Sequence, residues 1–298
     1  MKGKAIYMPK GSAAEYAKYA CNFYVGCSNA CTYCFNKRWG WGDVPTLKKC
    51  FKDENHALDV FKRELEANMG ELQEHGLFFS FTSDLFLKET ISLNVAAIDM
   101  CVNSWIPVKA LTKRADWIDK HNYNQRFYNF PYYIKPDYDD ELRLSKTADN
   151  MLAIGFSLTG RDDLEPFAST NAERIKAMRK LHAAGFKVWC SVEPIIDFSS
   201  STRMMLECQD FCDHYKVGLQ SGKQYDKDDV SDFIWNLINA DRFTLRDLPL
   251  SEHKYKEFNS KLKYKKIYFK DNILKKAGIR REELPANCVD RNFKIWEL

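Results

Sequence analysis

The sequence lacks a hydrophobic run long enough to cross a membrane, and it lacks an N-terminal leader pattern. No stretch of about 18 apolar residues occurs in it, whereas a membrane-spanning helix needs about 20. The opening residues, Met1-Lys-Gly-Lys-Ala, have no apolar centre like that of a secretory signal. We therefore expect a cytoplasmic protein that makes no contact with a membrane.

The chain also lacks the cysteine patterns of a disulfide-rich domain and of a closed zinc site. It has ten cysteines in 298 residues, but a chain of this length buries its own core without disulfides, and a reducing compartment keeps thiols free. Structural zinc sites usually combine two closely spaced ligand pairs, and only Cys31 and Cys34 form such a pair. Cys208 and Cys212, four residues apart in a predicted helix, leave a remote zinc site open as an alternative.

Three cysteines do follow a metal-binding pattern. Cys27, Cys31 and Cys34 lie in the string Cys-Ser-Asn-Ala-Cys-Thr-Tyr-Cys, which has C-x3-C-x2-C spacing. A short loop of this kind brings three thiolates to one cluster, one fewer than the four that hold a closed [4Fe–4S] centre. One iron then stays open to an outside ligand, so the pattern indicates an iron–sulfur cluster that takes part in chemistry.

This string resembles the cluster loop of the radical S-adenosylmethionine (SAM) superfamily. The resemblance implies a [4Fe–4S] cluster held by Cys27, Cys31 and Cys34, with SAM chelated on the open iron through its amino and carboxylate groups. In that family an electron from the cluster cleaves SAM to a 5′-deoxyadenosyl radical, which abstracts a hydrogen atom from the substrate. Tyr33 stands where the family has an aromatic residue near the adenine. A reductant such as flavodoxin or ferredoxin is implied as a partner.

Apolar runs alternate with amphipathic stretches, which is typical of an α/β fold with a parallel sheet. We predict strands at 21–26, 77–82, 107–112, 151–158, 186–192 and 215–219, with a late seventh at 266–269. We predict helices at 55–75, 89–104, 171–184 and 200–213. Six successive βα units indicate a partial (β/α)6 barrel of TIM type, the usual fold of the superfamily. An aromatic segment at 122–140 either lines a substrate entrance or packs across the barrel.

The domain organisation follows from the same pattern. We expect an N-terminal arm over 1–20, the radical SAM partial barrel over 21–222, and a basic C-terminal extension over 223–298 that packs on the barrel.

Polar residues stand at the strand ends, where barrels of this type carry their functional groups. The candidate cofactor-binding residues there are Thr82, Ser83, Asp84, Lys113, Ser157 and Glu193. The first three follow the second strand, where the resemblance implies contact with the SAM amino group, although the usual Gly-Gly-Glu motif is missing. Lys113 is a candidate for the SAM carboxylate or a substrate phosphate, and the last two are candidates for ribose or substrate. The alternative is that all six are turn and capping residues.

Further strings resemble one branch of the superfamily, the spore photolyase-like or DNA repair photolyase-like branch. They are Asn22-Phe-Tyr-Val-Gly-Cys27, Leu111-Thr-Lys113, Phe156-Ser-Leu158, Leu164-Glu-Pro166, Arg174 followed by Leu181-His-Ala-Ala-Gly185, and Val192-Glu-Pro194. Glu193-Pro194 and Ile267-Tyr-Phe-Lys270 are similar also to a phage-encoded radical SAM group. The branch implies a nucleic acid or nucleotide substrate. A radical SAM enzyme for a peptide or small metabolite, and a non-catalytic iron–sulfur redox sensor that binds nucleic acid, stay open as alternatives.

The C-terminal segment carries an excess of positive charge. Residues 251–298 contain ten Lys and three Arg against seven acidic residues, a net charge of +6. The aromatic residues interleaved with these charges are Tyr255, Phe258, Tyr264, Tyr268 and Phe269. Such a mixture suits nucleic acid, with phosphates on the cations and bases on the rings. The alternative is a solvated helix face whose aromatic residues point inward.

Overall fold

The computed structural model describes four stretches of the chain, residues 4–39, 45–118, 151–238 and 265–298. The aromatic segment predicted at 122–140 lies outside them, as do Tyr255, Phe258 and Tyr264 of the tail. In the four described stretches, no helix combines the length and the apolar character needed to span a bilayer.

The described elements alternate between strands and helices. The strands are β1 (Ile6–Tyr7), β2 (Ala20–Cys21), β3 (Tyr24–Val25), β4 (Lys48–Lys49), β5 (Leu77–Phe79), β6 (Val108–Thr112), β7 (Leu152–Ser157), β8 (Lys187–Ile195), β9 (His214–Leu219) and β10 (Lys266–Phe269). The α-helices are α1 (Glu54–Ala67), α2 (Met69–His75), α3 (Ile91–Asn103), α4 (Asn171–Ala183), α5 (Phe198–Cys208), α6 (Lys227–Ile238) and α7 (Asp271–Ala277).

One sheet forms the centre of the fold, and its strands follow one another almost in chain order. The order is β1-β2-β5-β6-β7-β8-β9-β10, while β3 pairs with β4 in a separate hairpin. Every pairing from β2 to β10 is parallel, and only the edge pairing of β1 with β2 is antiparallel. Because parallel crossovers are right-handed, a sheet without a reversal of strand order keeps its helices on one face. This confirms the α/β class, with the strand order of a partial barrel.

The two faces of the sheet carry different residues, since side chains alternate along a strand. Val108 and Ala110 of β6 belong to the large core between the sheet and its helices. Leu111, the residue after Ala110, packs instead in a smaller cluster on the opposite face. The buried members of that cluster are Tyr16, Ala20, Phe78, Ala153, Trp189 and Ile295. The inner face of the curved sheet is therefore filled with large rings rather than left open.

Two predicted elements are interrupted by asparagine side chains. The helix predicted at 55–75 is two helices, because Asn68 leaves the helical conformation and its Nδ2 donates to the carbonyl of Glu64 at 2.7 Å. The strand predicted at 21–26 splits into β2 and β3. Between them, Asn22 Oδ1 accepts hydrogen bonds from the backbone N–H groups of Phe81 and Thr82, at 2.9 and 3.3 Å.

Both flanking segments of the predicted barrel contribute to the sheet. The predicted seventh strand is confirmed as β10, which pairs with β9. A 3-10 helix at Gly11–Glu15 meets it, since the hydroxyl of Tyr268 donates to Glu15 at 2.9 Å and Lys270 Nζ donates to the carbonyl of Ser12 at 3.1 Å. The division into arm, barrel and extension stays a prediction.

The aromatic residues of the tail that the structure describes are not on its surface. Tyr268 and Phe269 lie in β10 and are buried, with 1% and 0% of their surface exposed. The expectation that they contribute a base-stacking surface is therefore wrong, because strand pairing and core packing already use both residues. Inward-pointing aromatic residues, the alternative interpretation, fit these two positions, although the element is a strand and not a helix.

A cross-strand pair on the inner face gives a test of this packing. Gly155 of β7 lies opposite Trp189 of β8, and a Cβ atom on Gly155 would overlap three carbon atoms of the Trp189 indole. We expect Gly155→Ala to lower the free energy of unfolding by about 1–3 kcal/mol, because a rigid ring must shift. Urea unfolding followed by circular dichroism measures this change.

The matched control is Gly70→Ala in helix α2, where a new Cβ atom meets nothing within 4 Å. It should raise the free energy of unfolding by up to about 1 kcal/mol, the difference in helix propensity. Equal effects of the two substitutions would contradict the described packing of Trp189.

Candidate functional site

The three cysteines lie in a compact loop, residues 26–34, that follows β3; we call it the cysteine loop. Gly26 opens it with φ of 94°, a conformation that favours glycine. Two tight turns follow, in which the N–H of Ala30 donates to the carbonyl of Cys27 and the N–H of Cys34 donates to that of Cys31, each at 3.2 Å. The successive turns place the three thiols along one short stretch of backbone.

The carboxylate of Asp84 fastens this loop to the ends of β5 and β6. One oxygen accepts from the N–H of Phe86 at 3.0 Å and from the hydroxyl of Thr112 at 2.6 Å. The other accepts from Asn29 Nδ2 at 2.9 Å and from the N–H of Lys113 at 2.7 Å. Asp84 is only 7% exposed. Its four hydrogen bonds leave it as an anchor of the loop, and direct contact with a SAM amino group stays a prediction.

The backbone carbonyl of Thr82 bonds to the cysteine loop, whereas the carbonyl of Ser83 bonds within its own turn. The carbonyl of Thr82 accepts from the N–H of Gly26 and from Asn36 Nδ2, each at 3.0 Å. The hydroxyl of Thr82 donates to the carbonyl of Tyr24 at 2.5 Å. Ser83 accepts on its carbonyl from the hydroxyl of Ser80. The end of the second predicted strand therefore lies at the cysteine loop, as expected. The hydroxyl of Thr82, however, already bonds to the carbonyl of Tyr24.

Tyr33 connects the cysteine loop to the segment after β7. Its hydroxyl donates to the carboxylate of Glu165. The backbone N–H of the preceding Thr32 donates to the carbonyl of Leu164 at 2.9 Å. The ammonium group of Lys113 lies 5.6 Å from the centroid of the Tyr33 ring. Tyr33 and Lys113, predicted separately from motif and strand end, are thus neighbours.

Burial and nearby charges shift the pKa values of these groups. Burial, followed by the Asp84 carboxylate, raises the pKa of the Cys27 thiol to about 12. Burial also raises the pKa of Cys31, although Lys113 acts against it. Burial lowers the pKa of Lys113, but Cys31 and Glu165 outweigh it and the net shift is upward. Lys113 is therefore a cation beside thiols that must release protons when a metal binds.

Ser157 and Glu193 lie on the same edge of the sheet but have other partners. The carbonyl of Ser157 accepts from Arg174 Nη1 at 2.8 Å. Glu193 pairs with Lys270, whose Nζ lies 2.7 and 2.9 Å from the two carboxylate oxygens, and it accepts from the hydroxyl of Tyr16 at 2.5 Å. Contacts of Ser157 and Glu193 with ribose or substrate stay predictions.

One buried acceptor beside the cysteine loop has no donor among the described residues. Asn36 is 2% exposed, and no described residue donates to its Oδ1, while its Nδ2 is fixed by the carbonyl of Thr82. Buried acceptors are nearly always paired. This oxygen, two residues after Cys34, therefore takes its donor from beyond the described part of the chain or from a ligand.

The described residues contain no group of three or more His, Cys, Asp or Glu side chains that converge on a single metal ion. Each thiolate of a [4Fe–4S] cluster binds a different iron, so its sulfur ligands stand farther apart than the ligands of one zinc ion. The cysteine loop offers three thiols on successive turns, and a [4Fe–4S] cluster on them stays a prediction.

Glu165 and Arg174 belong to the strings that carry the resemblance, but they were not predicted as residues of the site. Arg174 is fully buried, and its Nη2 lies 2.5 Å from Glu165 Oε2. The spacing held a signal, because Arg174 follows Asn171 by three and precedes Met178 by four, which puts it on the inward stripe of the predicted helix. A charged residue on that stripe requires a buried partner.

The anchor role of Asp84 leads to a prediction about stability. In Asp84→Asn, the new amide presents N–H groups to two of the four donors, so buried donors lose their acceptor. We expect the free energy of unfolding of the metal-free protein to fall by about 1–3 kcal/mol, measured by urea unfolding. Asp59→Asn, at an exposed position of α1, should change it by less than about 0.5 kcal/mol; similar losses for both variants would rule out the anchor role.

No model of a known protein family and no curated protein sequence matches the chain. Three solved structures are similar to it, each over 72% of this chain and 59% of the other. One is a spore photoproduct lyase double mutant with bound AdoMet and a dinucleoside spore photoproduct, at 16% identity and a TM-score of 0.49. The others are a single mutant with the dinucleoside photoproduct, at 16% and 0.45, and a tyrosine-to-phenylalanine mutant, at 15% and 0.44. The matched region thus spans less than two thirds of those proteins. The resemblance of Glu193-Pro194 and Ile267-Tyr-Phe-Lys270 to a phage-encoded group stays a prediction.

Proposed function

We propose that this protein is a radical SAM enzyme that holds a [4Fe–4S] cluster on Cys27, Cys31 and Cys34. The observation that carries the proposal is the attachment of the cysteine loop, through Asp84, to the ends of β5 and β6. Functional groups of parallel α/β barrels gather at this edge. Both the C-x3-C-x2-C spacing and the position of the cysteine loop at that edge support radical SAM chemistry.

The residues present fit both cofactors. Three thiols supply the cluster ligands and leave one iron for SAM. The Lys113 cation beside Tyr33 suits the SAM carboxylate, and Asn36 Oδ1, which accepts from no described residue, suits the SAM amino group. Bound together, the cluster and SAM supply a reducing electron and a 5′-deoxyadenosyl radical for hydrogen abstraction.

The chain's own part is to bind, orient and shield these groups, since the cofactor carries the difficult chemistry. Asp84 fixes the loop, Lys113 supplies positive charge, and Tyr33 supplies an aromatic ring for the adenine. The rings of Tyr16, Phe78 and Trp189 fill the inner face of the sheet and exclude water from beneath the site. A flavodoxin or ferredoxin partner and a cytoplasmic location stay predictions.

The cluster assignment predicts a loss of iron in one set of variants. Anaerobically reconstituted protein should hold about four irons per chain, and Cys27→Ala should hold fewer than about one, because two thiolates do not retain the cluster. Iron analysis and the absorption of the iron–sulfur chromophore measure this. Cys101→Ala, a buried position in α3, should keep its iron; equal losses would contradict the assignment.

Product analysis separates an enzyme from a redox sensor. Reconstituted protein with SAM and dithionite should form 5′-deoxyadenosine, detected by liquid chromatography, and Cys27→Ala should reduce the rate by at least about a hundredfold, since the electron source is lost. An intact cluster that produces no 5′-deoxyadenosine would exclude the enzyme and favour the sensor.

We propose a nucleic acid as the substrate, supported by the surface around the cysteine loop. Phe35, next to Cys34, and Phe167 are 44% and 65% exposed. Arg114 joins Phe167 to the site, since its Nη1 donates to the carbonyl of Phe167 and lies 3.5 Å from Asn29 Oδ1. Exposed Lys48 lies opposite Val25, two residues before Cys27. Exposed rings and cations together bind single strands by stacking and by phosphate contacts.

This substrate class predicts salt-dependent binding at one face. A single-stranded oligonucleotide should bind, with an affinity that falls as salt rises. The variant Lys48→Gln should make the slope of log K against log salt shallower by about 0.7, because one phosphate contact is lost. Fluorescence anisotropy measures the slope. Lys62→Gln, exposed on α1, is the control; absence of binding at low salt would exclude this substrate and leave the radical chemistry untouched.

A further inference from the structure

A chain of buried side chains links helix α4 to the cysteine loop. Arg174 of α4 pairs with Glu165 at 2.5 Å, and the other carboxylate oxygen of Glu165 accepts from the hydroxyl of Tyr33. We call these three residues the Arg174–Glu165–Tyr33 relay. It runs from a helix on the outer face of the sheet to the aromatic residue between the second and third cysteines.

The relay is rigid at its helical end. Arg174 Nε donates to the carbonyl of Ser169 at 2.7 Å and Nη1 donates to the carbonyl of Ser157 at 2.8 Å. The guanidinium is therefore held on three sides, by two backbone carbonyls and a carboxylate. Because Arg174 is fixed, its ion pair orients the Glu165 carboxylate, and the second oxygen of that carboxylate accepts the Tyr33 hydroxyl.

Stability alone does not account for such a group. The side chains of Arg174 and Glu165 are both 0% exposed, and taking two charges out of water offsets most of their attraction, so apolar residues of similar volume often stabilise a fold equally well. A buried ion pair does confer a defined geometry. The geometry defined here is that of the Tyr33 ring.

One face of that ring already has a neighbour. The Lys113 ammonium lies 5.6 Å from the ring centroid, within the distance at which a cation and an aromatic face attract each other. The hydroxyl is held by Glu165 and one face is next to Lys113. A flat ligand that stacks on this ring would use the face opposite Lys113.

We propose that Glu165 is a positioning residue, which holds the Tyr33 hydroxyl so that the ring face opposite Lys113 meets the adenine of SAM. This inference rests on the proposed function, because it requires SAM at the cysteine loop. Arg174 acts only through Glu165. The proposal explains why the aromatic position in this loop is a tyrosine, since a phenylalanine has no group for Glu165 to hold.

The experiment is a double-mutant cycle on SAM binding without turnover. Wild type, Tyr33→Phe, Glu165→Gln and the double variant are reconstituted with the cluster, and SAM is titrated anaerobically without reductant in a calorimeter. One hydrogen bond contributes about 0.5–1.5 kcal/mol, so each single variant should raise Kd about two- to tenfold. The double variant should be no weaker than the weaker single variant, because both changes break the same contact.

A second ligand separates positioning of the adenine from damage to the loop. S-methylmethionine keeps the sulfonium, amino and carboxylate groups of SAM but has no adenosyl group. Its Kd should be unchanged in Tyr33→Phe, which also keeps the Arg174–Glu165 ion pair and so does not depend on how Glu165→Gln folds. Tyr19→Phe is the matched control, because Tyr19 donates to Glu71 at 2.9 Å away from the cysteine loop and should leave both Kd values unchanged.

The outcomes separate this inference from the proposed function. Wild type that holds its cluster but binds no SAM overturns both. Wild type that binds SAM and forms 5′-deoxyadenosine, together with a Tyr33→Phe variant of unchanged Kd, overturns the positioning role alone. Equal weakening of SAM and S-methylmethionine, or single-variant losses that multiply in the double variant, also overturns it.

Discussion

The arrangement of the site depends on the carboxylate of Asp84. Its two oxygens collect donors from the cysteine loop, from the segment after β5 and from the end of β6. An amide at this position cannot accept from all four donors, so buried donors of the loop or of the strand ends would lose their acceptor. The carboxylate thus links Asn29 of the loop to the backbone of Lys113, while Thr82 and Glu165 fasten the loop at two further points.

Charge is distributed unevenly over the inner face of the sheet. Tyr16 and Trp189 fill its apolar part, while Glu193 of β8, Lys216 of β9 and Lys270, directly after β10, lie beside them. Burial, then Lys109 and Lys270, lowers the pKa of Lys216 well below its usual value. The Nζ atoms of Lys216 and Lys270 lie 4.4 and 4.9 Å from the centroid of the Tyr16 ring. Rings, a carboxylate and backbone carbonyls thus surround the buried amino groups.

Local patterns in the sequence were enough to predict those residues of the site that their neighbours along the chain identify. The cysteine spacing and the polar residues after each strand are such patterns, and the structure brings Tyr33, Asp84 and Lys113 to the cysteine loop. The contact of Tyr33 with Glu165 joins residues 132 positions apart, and no local pattern specifies a partner at that distance. Glu193 was predicted as a mouth residue for a similar reason, because its partner Lys270 is 77 positions away.

The contact between the 3-10 helix at Gly11–Glu15 and β10 has a consequence for the order of folding. The hydrogen bond from Tyr268 to Glu15 spans 253 positions, and the one from Lys270 to Ser12 spans 258. During synthesis from the N-terminus, these early residues emerge long before their partners exist. The sheet therefore completes its last edge after release of that late strand, and its high contact order favours slow folding. Until then Glu15 lacks the hydroxyl of Tyr268 that donates to it in the folded protein.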